Sequence, residues 1–318
     1  MRFLGRRFLG LIPRLFAATA VTFLLLNLLP GDPVITILGP AAAIPEARNA
    51  LRKNLALDKP IPVRYVKWLG NVSRGDFGKS YARDISVSKE ILHKLPRTLE
   101  LMGLTIVISL LLAIPMGVWA AYRAGTRVDN ALNGISTMFI GIPGYVLGIV
   151  LLFLLTTRVH LFPASFKLIS ERGYYTHFKS LVLPVAVLAA GLIPVFVRVL
   201  RTEMAGTLRE DFISLARAKG LSDRRILFRH ALRPSSFALM TVAGLNVGSL
   251  IGGALIVENI FQMHGLGEYI VVSSFRREYL NVQGAVLVVT VGYVLVNFLV
   301  EVLYGVLDPR IRHARAVA

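Results

Sequence analysis

The chain has 318 residues, 55% of them hydrophobic and 17% charged, with a formal charge of +18 and no cysteine. The missing cysteines exclude a disulfide framework, thiolate metal sites and a thiol nucleophile. The apolar share gathers in blocks long enough to cross a bilayer, so the basic excess bears first on membrane topology and not on nucleic acid.

Six apolar blocks read as membrane-spanning helices: residues 8–29, 101–122, 135–156, 181–199, 237–257 and 285–307. Arginines precede the first, and Ala17-Ala18-Thr19-Ala20 resembles a signal cleavage site. The apolar run continues unbroken to Leu29, which predicts an uncleaved anchor. Arg14 in the first block and Glu301 in the last lie close enough to a membrane surface to snorkel or pair.

Residues 34–98 form a long loop whose repeated prolines and glycines predict a small ordered subdomain of short helices. In it, Trp68 is expected to be local core, and Tyr65, Phe77 and Tyr81 either core or partner contacts. Ser73-Arg74-Gly75-Asp76-Phe77-Gly78-Lys79-Ser80 falls one residue short of a nucleotide-binding P-loop, because Ser73 stands where the first glycine is required. The preceding strand and following helix of that motif are not expected either.

The third block contains Gly141, Pro143, Gly144 and Gly148, and the fourth Pro184 and Pro194, so both are expected to bend or break near these residues. Eight Lys and Arg lie between the fourth and fifth blocks. There Thr207 and Glu210 read as a capping box, Leu208, Phe212, Leu215 and Ala216 share a helical face, and Gly220 stands where a left-handed C-cap belongs. Ser222 offers an N-cap for a second helix, expected to stop near Leu232 ahead of Pro234. In the fifth block Gly244, Gly248 and Gly252 recur at intervals of four, as a packing stripe or as a moving, pathway-lining interface. Thr241, Asn246 and Ser249, with Asn297 in the sixth block, either line a path for a polar substrate or satisfy one another between helices.

The basic residues report topology. Arg2, Arg6 and Arg7, then Arg123 and Arg127, the eight after block four, and Arg310, Arg312 and Arg315 all fall on one side, which predicts cytoplasmic termini. The short opposite loops hold fewer: Arg158, Lys167, Arg172 and Lys179 in one, Arg276 and Arg277 in the other. The loop before the second block is also basic, but at roughly sixty residues it is long enough to cross regardless of charge.

Away from their ends the blocks hold no Asp, Glu, Lys or Arg, whereas ion-coupled transporters keep such groups as relays or coupling sites. Energy is therefore expected to enter from outside the spans. The histidines lack metal-ligand spacing and no nucleophile, base and acid set stands out, so no catalytic residue and no metal site is assigned. A secondary transporter or channel and a membrane-embedded enzyme are the rival classes. Each needs intramembrane polar machinery that is missing here.

Taken together, these residues resemble the membrane-spanning subunits of ATP-binding-cassette importers, specifically the dipeptide, oligopeptide and nickel group, over the whole chain. The resemblance is carried by Ala216-Arg217-Ala218-Lys219-Gly220-Leu221 and His230-Ala231-Leu232-Arg233. Leu29-Pro30-Gly31-Asp32-Pro33, Leu57-Asp58-Lys59-Pro60, Gly75-Asp76-Phe77-Gly78-Lys79-Ser80 and Leu307-Asp308-Pro309-Arg310 add to it. Against the general importer pattern, counted from Gly220, only Ala216, Gly220 and Leu232 match; Ser214, Leu215, His230 and Arg233 depart from it, as is usual in the peptide group.

The resemblance implies an all-α integral membrane protein with six transmembrane helices and cytoplasmic termini. Its parts are an N-terminal segment with the first span at 1–33, an extracytoplasmic subdomain at 34–98, and a permease core at 99–318 with a cytoplasmic coupling loop near 202–236. It implies a permease subunit importing peptides, with nickel or another small ligand as the alternative, in the cytoplasmic membrane of a prokaryote. The implied coupling residues are Phe212, Ser214, Leu215, Ala216, Arg217, Ala218, Lys219, Gly220 and His230. The implied partners are a second related permease subunit, two ATPase subunits, an extracytoplasmic substrate-binding protein and the lipid bilayer, with no nucleic acid. No cofactor is expected on this chain; ATP and Mg belong to the ATPases. By pattern alone, the basic amphipathic helix at Phe212–Gly220 would equally rest on anionic lipid.

Overall fold

The computed structural model describes residues 2–24, 33–39, 43–54, 57–80 and 84–307, and these are helical apart from turns and a β-bridge between Lys79 and Ser86. In chain order the helices are α1 (Arg2–Leu24), α2 (Pro33–Leu38), α3 (Pro45–Asn54), α4 (Ile61–Val72) and α5 (Val87–Tyr122). Then come α6 (Arg127–Gly141), α7 (Gly144–Leu151) running on as π-helix to Arg158, and α8 (Ile169–Thr207). After α9 (Asp211–Ala218) and α10 (Asp223–Arg225), a π-helical stretch, Ile226–Ala231, leads directly into α11 (Leu232–Ile260). Helices α12 (Leu266–Phe275) and α13 (Tyr279–Leu307) follow.

The chain is an all-helical membrane protein. Among the described residues, Val87–Tyr122, Ile169–Thr207, Asp223–Ile260 and Tyr279–Val300 are long and apolar enough to cross a bilayer. Arg127–Gly141 and Gly144–Arg158, bent by 92°, make a fifth crossing if the pair is one span. In α1 the stretch Leu9–Leu24 is apolar, and the rest of the first predicted block lies outside the described residues. Tyr81, the segment 29–32 and the segment 308–310 lie outside them too.

The expected break in the third block is present and has a local cause. Pro143 has no N–H and forces extended backbone on the residue before it, and Ile142 has φ −87° and ψ 118°. The fourth block corrects expectation. Helix α8 keeps helical dihedrals through Pro184 and Pro194, and its one non-helical residue is Gly173 (φ 75°, ψ 171°). Both prolines are buried among apolar residues, and tertiary contacts hold the helix together across the missing donors.

The described residues form two compact units. In the first, Leu99–Met263, helix α8 is the central element, packed by α6, α7 and α11. Its core includes Leu101, Phe196, Leu200, Met204, Val257 and Phe261. Small residues set the helix spacing: a Cβ at Gly117 would lie 3.0 Å from Leu200, and one at Gly253 would lie 2.9 Å from Leu188.

The second unit joins the described residues up to Thr98 with His264–Val302. In it α4 lies on α1, with Tyr65 and Trp68 against Phe23 at ring-centroid distances of 5.4 Å and 5.5 Å. The P-loop-like segment is a structural corner following a helix. Gly75 and Gly78 take φ of +79° and +86°, and the Asp76 carboxylate accepts the Gly78 N–H at 2.9 Å. The Ser88 hydroxyl donates to the Gly75 carbonyl at 2.5 Å and accepts the Phe77 N–H at 3.3 Å. Phe77 then packs with Val87 and Ile91 around Gly284.

A Cβ at Gly284 would meet Val87, Ile91 and Phe77 at 2.9, 3.2 and 3.3 Å. Val87 is β-branched and fully buried, so it has little room to yield. Gly284→Ala is therefore expected to destabilise the protein by about 1–3 kcal/mol. Gly103→Ala, which meets nothing within 4 Å, should leave stability unchanged or slightly raised. Thermal unfolding of the two purified variants in detergent checks this.

Candidate functional site

The segment between α8 and α11 is built around one short helix with two apolar faces. Helix α9 starts after Glu210, whose carbonyl accepts the Ile213 N–H at 3.0 Å, and no side chain caps it. The Thr207–Glu210 capping box is thus a misassignment. Thr207 is the last residue of α8, and its hydroxyl lies 3.0 Å from the Glu203 carbonyl and 3.1 Å from the Ser235 hydroxyl. A threonine that can bond back into its own helix and across to a neighbour has no need to cap another.

The C-terminal end of α9 is as expected. Gly220 has φ +75°, the Gly220 N–H bonds the Arg217 carbonyl at 2.9 Å, and the Leu221 N–H bonds the Ala216 carbonyl at 3.2 Å. These two bonds define a Schellman motif, and Leu221 packs beside Ala216 to complete it. Glu210 and Asp211 at the start, with Arg217 and Lys219 at the end, complement the helix dipole.

The buried face of α9 is Ile213 and Ala216, closed by Ile226 and by Leu208 and Leu221. Phe212 and Leu215, expected on that face, instead point outward at 47% and 56% exposure. Ile213 takes the inward position because it faces Ile226 across the turn that Gly220 makes. Phe228 is also exposed, and the same segment carries Arg209, Arg217, Lys219, Arg224, Arg225 and Arg229, all exposed. Ser214 and Ala218 are exposed with them, and His230 is half-buried in the π-helical stretch.

Ser222 precedes α10 as expected but forms no side-chain cap. The second helix does not stop before Pro234. It passes through the π-helical Ile226–Ala231 and continues to Ile260. A π turn widens the helix and shifts the bonding pattern just ahead of the proline, which takes up the missing donor without ending the helix.

Two polar ties hold this segment to the membrane helices, and a third joins the helices beside it. The Tyr122 hydroxyl, at the end of α5, donates to Asp223 at 3.0 Å. Ser235, 1% exposed, donates to the Ala231 carbonyl at 2.9 Å while meeting Thr207. The third lies between α6 and α8. Asp129, 1% exposed, accepts Arg201 Nε at 3.0 Å and Arg201 Nη2 at 2.5 Å. It also accepts the Gly125 N–H at 2.9 Å and Asn133 Nδ2 at 3.0 Å. Beside it, Arg198 donates to the Thr137 hydroxyl at 3.2 Å. Sequence reasoning missed this cluster, although an Asp and Asn four apart and two arginines three apart at the block's end were its signal.

At the other end of α8 a second cluster forms. His177, 2% exposed, has Nδ1 2.7 Å from the Lys167 carbonyl and Nε2 2.8 Å from the Glu100 carboxylate. A carbonyl only accepts, so the Lys167 contact places a hydrogen on Nδ1.

The structure separates the polar residues expected along a pathway. Asn246 and Ser249 line a cavity of about 250 Å³ with Gly144, Tyr145, Gly191 and Gly253, at the point where the third block breaks. Thr241 does not line it. Each of the four candidates bonds first to its own helix: Thr241 to Phe237, Asn246 to Val242, Ser249 to Asn246 and Asn297 to Tyr293. A larger cavity of about 580 Å³ between α5, α6 and α8 has Ser136 as its one hydroxyl and offers a polar substrate almost nothing to bond. Gly244 is buried and Gly248 half-buried, while Gly252 faces open space and its neighbour Gly253 makes a close approach to Leu188.

Residues 113–313 match the family of binding-protein-dependent transport system inner membrane components, and residues 1–102 match that family's N-terminal model. The chain belongs to this family. It is a multi-pass permease subunit of a bacterial ATP-binding-cassette importer; the subunit itself is non-catalytic and binds no cofactor, and the ATPase is a separate subunit. A substrate-binding protein is the further partner that the family's description implies. The permease is 35% identical to the di/tripeptide transport system permease protein DppB of Pseudomonas aeruginosa, over 99% of this chain and all of that protein. It is 34% identical to the oligopeptide permease AppB of Bacillus subtilis, over 97% of this chain and 98% of that one. The dipeptide permease DppB of Escherichia coli is 34% identical over 99% of the chain and 100% of its own length.

Asp129→Ala strands Arg201 and removes the acceptor of four hydrogen bonds. Because the Arg201 side chain keeps 28% exposure, the loss of stability is expected toward the lower end of roughly 3–5 kcal/mol. Thermal unfolding of the purified variant checks it, and a loss under about 1 kcal/mol would show the pair to be ornamental.

Proposed function

We propose that the permease imports di- or oligopeptides, and that the surface of α9 is where the ATPase engages it. Relatives matching nearly the full chain are named for peptide transport, which supports the substrate class. One observation carries the docking proposal: Phe212 and Leu215 are exposed on a helix whose other apolar face is already buried. Two large side chains left in water, on a segment rich in exposed arginines, fit an apolar cleft with an acidic rim on a partner. Ser214, Arg217, Lys219 and Gly220 lie on or next to the same helix and belong to the contact, with His230 at its edge.

The chain then crosses the membrane six times with both termini in the cytoplasm, a reading that the arginine distribution supports. Residues 1–33 supply the first crossing, 34–98 face the outside, and 99–318 form the core with its coupling loop near 202–236. A second related permease subunit completes the pathway, two ATPases bind below, and the substrate-binding protein delivers from outside. Asn246 and Ser249, in the cavity at the broken span, are the best-placed pathway residues, and Thr241 and Asn297 are the other candidates. Gly244 and Gly248 let another helix approach α11, and Gly252 is left for a surface of the partner subunit.

The variant Phe212→Ser/Leu215→Ser should insert and fold normally, because neither side chain is in the core. It should lose the ATPase on purification in mild detergent and lower peptide uptake by about tenfold or more. Uptake at the unmodified rate with the ATPase still bound would refute the docking surface.

A further inference from the structure

The cavity of about 580 Å³ between α5, α6 and α8 is a groove open along its side, with Leu112, Ile135 and Val182 of its walls at 48%, 52% and 45% exposure. Its α8 wall is a ridge of residues four apart, Phe178, Val182, Ala186, Ala190 and Pro194, and runs for about 24 Å. The α5 wall, from Leu104 to Met116, runs for about 18 Å. These walls belong to helices long and apolar enough to cross a bilayer and to the first half of the bent pair. A groove so placed opens toward acyl chains and not toward water.

The next residue of the α8 ridge is Arg198. It is exposed, donates to the Thr137 hydroxyl at 3.2 Å, and meets no carboxylate among the described residues. Arg201, one turn on, is by contrast locked to Asp129. The groove therefore ends on an uncompensated positive charge. Helices α5 and α8 touch at this level, where a Cβ on Gly117 would lie 3.0 Å from Leu200. Trp119, two residues along α5 from that contact, is 52% exposed, and exposed tryptophan near the end of a span marks the headgroup boundary. At its other end the ridge continues to Tyr174, which is neutral and 70% exposed. Lys179 stands off the ridge there, with its ammonium 5.7 Å from the Tyr175 ring.

We infer that this groove binds a phospholipid of the cytoplasmic leaflet, with an acyl chain along the α8 ridge and the phosphate on Arg198, and that it favours an anionic headgroup. One leaflet of the hydrocarbon core is about 15 Å deep, so a groove of this length takes a chain from end to end. Its 580 Å³ over about 18 Å averages about 32 Å² in cross-section, whereas a helix about 10 Å across takes about 80 Å². A hydrocarbon chain fits that space and the helix of a neighbouring subunit does not. A zwitterionic headgroup carries its own ammonium beside the phosphate, but an anionic one leaves that charge to Arg198. The leaflet rests on the proposed topology, in which the fourth span ends in the cytoplasm. The lipid phosphate then lies one turn from the Asp129–Arg201 pair, at the base of the coupling segment.

The permease, co-expressed with its transport partners, is reconstituted into phosphatidylcholine vesicles doped with phosphatidylglycerol that carries a diazirine in its acyl chain, and photo-adducts are mapped by mass spectrometry. Expected are adducts on Leu112, Val182 and Ala186 in excess of those on Leu111, which is 66% exposed on α5 but outside the groove. Arg198→Gln should lower the groove adducts about fivefold and leave those on Leu111 unchanged, and Arg198→Lys should retain most of them. Ala186→Phe, which fills the groove without touching the charge, should remove the adducts on Leu112 and Val182. Groove adducts no richer than those on Leu111, or indifferent to Arg198→Gln, mean bulk lipid only. Adducts on Leu111 without any in the groove mean that protein fills it, and either result overturns the inference. The chain has no cysteine, so Ala124→Cys reports the leaflet separately: a membrane-impermeant maleimide should label it in inside-out vesicles and not in intact cells. Labelling in intact cells overturns the leaflet and the topology beneath it, a failure distinct from an empty groove.

Discussion

Asp129 is a carboxylate with almost no solvent, and every hydrogen bond it needs comes from the protein: two from Arg201, one from Asn133 and one from the Gly125 backbone. A buried charge is tolerable only when so surrounded, which makes the geometry of this cluster all-or-none. Its members come from the turn before α6, from α6 and from the last turns of α8. Satisfying Asp129 therefore fixes where α8 leaves the core and the direction in which the chain enters the coupling segment. The Thr207–Ser235 and Tyr122–Asp223 contacts then clasp the base of that segment on two further sides.

A segment clasped in this way can pass force. Helix α9 is only eight residues long and would not persist alone in water. It is held by Ile213 and Ala216 below and by the Schellman turn at Gly220 behind. Its free apolar face can thus be presented to a partner without first being ordered, which spares the entropy that a flexible loop would lose on docking. In the proposed mechanism, displacement of α9 reaches α8 and α11 through bonded side chains and not through slack backbone.

Features written as backbone chemistry were legible in the sequence. Gly220 at the end of an amphipathic stretch, and Pro143 between two glycines, each admit few conformations, and the structure shows the turn and the break. The hydrophobic blocks announced the long helices because a span has no polar alternative in hydrocarbon. Features decided by tertiary partners were not legible. Thr207 and Glu210 have capping-box spacing, yet Ser235, far along the chain, supplies a different partner. The one face expected to hold Leu208, Phe212, Leu215 and Ala216 is divided in the structure, because α9 is apolar on two sides and periodicity cannot say which is taken. Pro184, Pro194 and Pro234 sit in continuous helices because packing, or a π turn, takes up what proline removes. Asp129 and Arg201 are distant in sequence, and only the fold brings them together.

Helix α8 joins the two polar clusters of its unit. From Tyr174 to Thr207 it runs about 50 Å, longer than the roughly 40–45 Å of a bilayer with its headgroups. Near one end stands His177 between Lys167 and Glu100, and near the other Arg201 is locked to Asp129. Between them the helix is apolar and packed, so a tilt imposed at one cluster arrives at the other. The cavity with Asn246 and Ser249 lies midway, where Val187, Leu188, Gly191 and Leu192 of α8 meet the broken third span. In the proposed mechanism, a lever that passes the cavity's wall, with one end tied beside the α9 segment, would let an ATPase docked there alter that cavity without entering the membrane. This arrangement suits spans that hold no ionisable side chain near their centres: the charged clusters of α8 sit at its ends, where desolvation is least costly.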